Sequence, residues 1–86
     1  MRWSDHAKQR ARERFPGRTL YELELDFLNS RPVGKKTKKR VRDSCPVSYR
    51  QYMSEGFAGR YLRITKDRIV FVVHAPDTIV TLFTLA

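Results

Sequence analysis

His6, Arg10 and Arg14 stand four residues apart in the stretch WSDHAKQRARER, which reads as a short helix. At 100° per residue they would form one column along its side. A histidine titrates near neutrality and can take or give a proton, and arginine forks hold phosphate oxygens in pairs. The same column can equally be a solvated face, with Asp5 beside His6 and Glu13 three residues after Arg10 as partners worth only tenths of a kcal/mol. A second group of cations lies in RPVGKKTKKRVR, residues 31–42, where Lys35, Lys36, Lys38, Lys39, Arg40 and Arg42 are suited to phosphate contact. Tyr49 and Tyr52 follow and can stack an unpaired base. Arg60 and Arg63 extend the candidate nucleic-acid-binding set. His74, just before Pro76, and Cys45, between Ser44 and Pro46, read as structural positions.

These residues sit in a chain of 86 with 18 Lys/Arg against 9 Asp/Glu, a net charge of +9. So small a body is expected to be one domain, residues 1–86, with a surface groove rather than a deep substrate cavity. Its field attracts polyanions, and nucleic acid is the usual one. The longest fully apolar run is Ile69 to Val73, too short to span a bilayer, and residues 2–18 are too polar for a signal peptide. One cysteine allows no internal disulfide, and a reducing cytoplasm fits it. Two histidines and that cysteine show no metal-ligand spacing, so neither metal nor cofactor is expected.

The cations must be positioned by a modest set of elements. Ser4 or Asp5 can cap the first helix, and Phe15-Pro16-Gly17 ends it. Trp3, Ala7, Ala11 and Phe15 recur every four residues as its apolar stripe. Thr19 and Glu22 match a capping box, predicting a second helix from Leu20 to about Ser30. Residues 21–27 also alternate as a half-buried strand would, and as a helix they leave Glu24 inside the apolar arc. Residues 31–44 read as a mobile basic loop, because Pro32 and Gly34 break structure and five crowded cations repel. Pro46 to Ser54 reads as one or two helical turns, stopped by Gly56. Arg60–Thr65, Arg68–Ala75 and Thr78–Thr84 then form a three-strand meander, with turns at Lys66-Asp67 and Pro76-Asp77. Its middle strand is apolar on both faces and should be central, with a helix over at least one side.

With Arg2-Trp3 as a short first strand, the order becomes β-α-α-β-β-β: an α+β domain with two N-terminal helices packed on a three- to four-stranded antiparallel sheet. This layout resembles RelE-type toxins, within the barnase–EndoU–colicin–RelE group of small RNases. Ser4-Asp-His-Ala-Lys-Gln-Arg-Ala-Arg-Glu-Arg14 is similar to the H-A-x-x-R-x-x-x-R opening of small RelE-like domains, many from phages and mobile elements. Arg68-Ile-Val-Phe-Val-Val73 and Thr78-Ile-Val-Thr-Leu-Phe83 are similar to their closing hairpin. The resemblance covers roughly the first thirty and last twenty-seven residues, and Phe83 stands where those domains usually end in tyrosine.

The resemblance implies a toxin-like, metal-independent endoribonuclease if the site is active. The ribose 2′-hydroxyl would attack phosphorus, with His6 as base or acid, Arg10 and Arg14 on the phosphate oxygens, and Thr81 at the family threonine. It also implies RNA as partner and an antitoxin. The alternative is a non-catalytic phage-type basic protein that binds nucleic acid or an acidic host protein. No membrane partner is expected, and the oligomeric state stays open.

Overall fold

Five consecutive apolar residues, Ile69 to Val73, alternate between the faces of any strand they form, so both faces need cover. The computed structural model describes residues 1–53 and 59–85, and all side chains in those spans except those of Ser48 and Tyr52. In chain order the elements are β1 (Arg2–Trp3), α1 (Asp5–Arg14), α2 (Leu20–Leu28), β2 (Arg31–Pro32) and α3 (Lys35–Ser44). They continue with α4 (Pro46–Met53), β3 (Arg60–Ile64), β4 (Ile69–His74) and β5 (Thr78–Thr84). The expected helix stop at Gly56 lies outside the described residues.

The class is α+β, but two expectations about the sheet are corrected. It has five strands in the order β1-β5-β4-β3-β2, and it is mixed, because β1 runs parallel to β5. The three predicted strands are present as the antiparallel meander, with β4 central. Nor is 31–44 a loop: it holds the edge strand β2 and the ten-residue helix α3.

Each face of β4 feeds its own core. Ile69, Phe71 and Val73 pack with Ala7 and Ala11 of α1 and Leu23 and Phe27 of α2. Val70 and Val72 pack with Leu62, Ile64, Phe83 and Val41 of α3, with Tyr49 and Met53 of α4 against them. Two helices therefore cover each side of the sheet. Val41 is fully buried, worth about 1.5–3 kcal/mol of apolar burial. That burial explains why so cationic a segment is helical. A ten-residue helix is marginal in water by itself and takes most of its stability from packing.

The N-terminal half follows its local signals. Ser4 caps α1, accepting from the Ala7 amide at 3.0 Å, and donates its hydroxyl to the Val80 carbonyl at 3.0 Å. The Thr19/Glu22 capping box is present in full, so 21–27 is helix rather than strand. Glu24, the polar residue within the apolar arc, accepts a hydrogen bond from the Trp3 indole nitrogen at 2.9 Å. Phe27 meets Phe71 edge-on, with centroids 5.4 Å apart.

Two irregularities shape the meander. Val72 pairs with Thr81 and Val73 with Ile79, so Val80 is the extra residue of a β-bulge. Ile79 and Leu82 both join the α1/α2 core as a result. At the β3–β4 turn, Arg68 has φ of 62°, a left-handed conformation that costs a side-chain-bearing residue about 1–2 kcal/mol. Arg68 is exposed, and its amide and carbonyl bond to Thr65 and Leu85 through the backbone alone. Arg68→Gly should therefore raise stability by roughly 1 kcal/mol. Urea denaturation would show this as a higher midpoint at unchanged slope.

Candidate nucleic-acid interface

Two groups of cations were candidates, and the sheet separates them. His6, Arg10 and Arg14 ride on α1, which packs on one face through Ala7 and Ala11. Lys35 to Arg42 ride on α3, which packs on the other through Val41. The two groups therefore do not share one face of the sheet.

The α1 column is bound into the protein. Arg14 donates from Nη1 to the Leu82 carbonyl at 2.8 Å, satisfying an acceptor of β5 beyond the reach of the two-residue β1. Arg10 Nη1 lies 2.7 Å from Glu13 Oε2, the solvated-face pairing weighed for this helix. That hydrogen bond, with a second from Gln9, holds Glu13 below the usual carboxylate range. His6 is held below its ordinary value of 6.5 by burial first, then by the Arg10 and Arg14 cations, with Glu13 opposing. Both causes favour the neutral imidazole, the form able to accept a proton.

Thr81 is corrected as a catalytic candidate. It is fully buried, and its pairing with Val72 turns it toward the α3/α4 core, away from α1. A buried hydroxyl on the opposite face cannot touch a phosphate held by His6. Arg63 also has partners within the fold. Its guanidinium lies 5.8 Å from the Phe27 centroid, donates to Ser30 Oγ at 2.8 Å and also bonds the Ser30 carbonyl, pinning the end of α2 to β3. Its donors serve the fold. Phe83 is a core residue.

The other face assembles more. Lys35, Lys38, Lys39 and Arg42 are spaced i, i+3, i+4 and i+7, one stripe down a helix. With Tyr49 of α4 they line a groove of about 300 Å³. The stripe spans about 10 Å at 1.5 Å per residue. Of the two remaining cations of α3, Lys36 and Arg40 fall on the far flank and do not line it. The Arg42–Asp43 approach, 3.9 Å and exposed, is too loose to neutralise the stripe. Arg60, on β3, lines a neighbouring hollow with Lys38. The Tyr52 side chain lies outside the described residues.

Local rules are broken along α3. Its N-cap is Gly34 with no side-chain bond, no acid occupies its first turn, and two lysines open it. Positive charge at the positive end of the helix dipole is unfavourable, by up to about 1 kcal/mol per charge. A bound polyanion would relieve both this and the repulsion among the cations.

The 31–42 charge was evident in the chain, but reading the segment as a loop hid its sorting into groove and flank. No local signal marks the helix, because Val41 is the only apolar residue of 35–44 and one residue makes no apolar period. Among the described residues no group of three or more His, Cys, Asp or Glu could hold a metal ion, and no helix is long and apolar enough to cross a membrane. Compared with known proteins, the chain matches no family model, no curated protein and no solved structure.

The titration of His6 tests the α1 geometry. Its NMR midpoint should fall below 6.5, and Arg10→Gln should move it upward by removing a neighbouring cation. The unfolded chain binds this proton more readily than the folded one. Its effect on stability is therefore a loss that sets in as pH drops from about 6.5 toward the lower folded midpoint. A midpoint at or above 6.5 would contradict the environment described here.

Proposed function

We propose that this protein binds nucleic acid through the α3–α4 groove, with Lys35, Lys38, Lys39 and Arg42 on phosphates and Tyr49 at the groove wall. The observation that carries this reading is the four-cation stripe facing a tyrosine in a single groove. Electrostatic attraction supplies the affinity and the encounter rate, and counterion release makes both depend on salt. RNA is the preferred target, on the RelE-like resemblance of the N- and C-terminal segments. An acidic protein is the competing ligand for the same charge. The cytoplasm is the compartment in which we place this activity, with an antitoxin or host protein as the partner to look for.

Endoribonuclease activity is a second reading, and the depressed pKa of His6 is what favours it, since a neutral imidazole can take the 2′-hydroxyl proton. Against it stand the protein partners of Arg10 and Arg14. Incubation with labelled RNA in EDTA, comparing wild type with His6→Ala, decides between them. Fragments with 2′,3′-cyclic phosphate ends that vanish in the variant establish the enzyme; intact RNA leaves the binding module.

Binding itself is tested by two double variants that remove equal charge from the same helix. Lys35→Gln/Lys39→Gln should weaken RNA binding and flatten the plot of log affinity against log salt by about 0.7 per lost single-strand contact. Lys36→Gln/Arg40→Gln, on the opposite flank, should do markedly less. Equal losses would mean that the general field of the protein, and not the groove, holds the ligand.

A further inference from the structure

Lys38 lines two cavities. One is the cationic groove; the other is a hollow of about 170 Å³ beside it, where β2 ends and β3 continues. The hollow has a different character. Val33, Leu62 and Met53 give it apolar walls, and Arg60 and Lys38 supply the charge, while the Tyr61 ring packs against the α1/α2 core on the opposite face of the sheet. Leu62 is buried in the α3/α4 core, Val33 and Met53 pack against that core, and the Val33 amide donates to the Leu62 carbonyl at 3.2 Å. Val33 and Leu62 are therefore held by the sheet, and Met53 closes the wall from the end of α4.

Size and chemistry limit the occupant. The hollow falls below the roughly 300–1,000 Å³ of pockets for drug-sized molecules, so it suits one ring system rather than an extended ligand. Apolar walls favour a flat heterocycle, and cations at the mouth favour one attached to an anion. Lys38 sits between hollow and groove, so a group in the hollow would have its phosphate beside the α3 stripe. A nucleotide of a continuous strand meets each of these conditions. A base locked in a duplex does not, because it cannot leave its stack without losing its pairing energy.

Resting on the binding function proposed above, we propose that the protein is specific for single-stranded nucleic acid, with one unstacked base in the Val33–Leu62–Met53 hollow and its phosphate at Lys38. The base adds affinity that salt does not screen, and the α3 stripe adds affinity that it does. The two parts of the site can therefore be measured apart.

The probe is a short single strand compared with the same strand carrying abasic residues, and with the corresponding duplex, in titrations at several salt concentrations. The intact strand should bind about tenfold more tightly than the abasic one, the scale of burying one flat ring against apolar walls, with the same salt slope, and more tightly than the duplex. Val33→Phe, which fills the hollow, should bring the intact strand down to the abasic affinity and leave abasic binding unchanged. Arg60→Gln should weaken the intact strand more than the abasic one. Should Val33→Phe fail to fold, Arg60→Gln decides, because Arg60 lines the hollow and not the Tyr49 groove: an equal effect on intact and abasic strands overturns the base site. Equal affinity for intact and abasic strands, or a duplex bound as tightly as the single strand, overturns the base site while leaving the phosphate groove standing. Loss of salt-sensitive binding to every strand would instead remove the underlying binding function.

Discussion

The burial of β4 on both faces is the constraint from which the rest of the architecture follows. A five-residue apolar segment in the centre of a sheet presents alternate side chains to opposite sides. One layer, α1 and α2, covers Ile69, Phe71 and Val73. Val70 and Val72 then need a second layer, and the stretch available for it is the cation-rich segment between β2 and β3. The chain folds its most charged region against the sheet because that region has to close the second core.

That requirement sets packing against electrostatics in α3. Burying Val41 contributes about 1.5–3 kcal/mol. The like-charged neighbours at i+3 and i+4 cost about 0.2–0.5 kcal/mol each, and α3 has six such pairs among Lys35, Lys36, Lys38, Lys39, Arg40 and Arg42. The two effects are comparable, so α3 is held by its neighbours in the fold and gains little from its own composition. The nucleic-acid binding proposed for the α3–α4 groove would draw on this concentration of positive charge.

On the opposite face, polar chemistry is largely spent on assembly. Ser4 caps α1 and donates to β5, Arg14 satisfies the Leu82 carbonyl, Glu24 receives the Trp3 indole, and Arg63 closes the end of α2. Each pairs a buried or edge group that would otherwise lose a hydrogen bond, at a cost of about 1–3 kcal/mol where the group is buried. Residue types that suggest catalysis in a sequence are here also the types that join a helix to a sheet edge. His6 differs in being tuned toward its neutral form by that same packing and by its arginine neighbours.

Much of this was legible in the chain. The Ala7/Ala11 stripe, the Thr19/Glu22 box and the three strands of the meander follow from spacing and local chemistry, because each signal and the structure it makes lie within a few residues. The helix at 35–44 was not legible in that way: repulsion, Pro32 and Gly34 all argue for a loop, and only the distant Val70 and Val72 outweigh them. The bulge at Val80 likewise decided alone that Thr81 faces away from His6, since one extra residue reverses the side on which every later side chain falls. Local sequence determined the elements and the presence of the charge. The tertiary structure decided which cations share a groove, because that depends on which faces of the sheet remained to be covered.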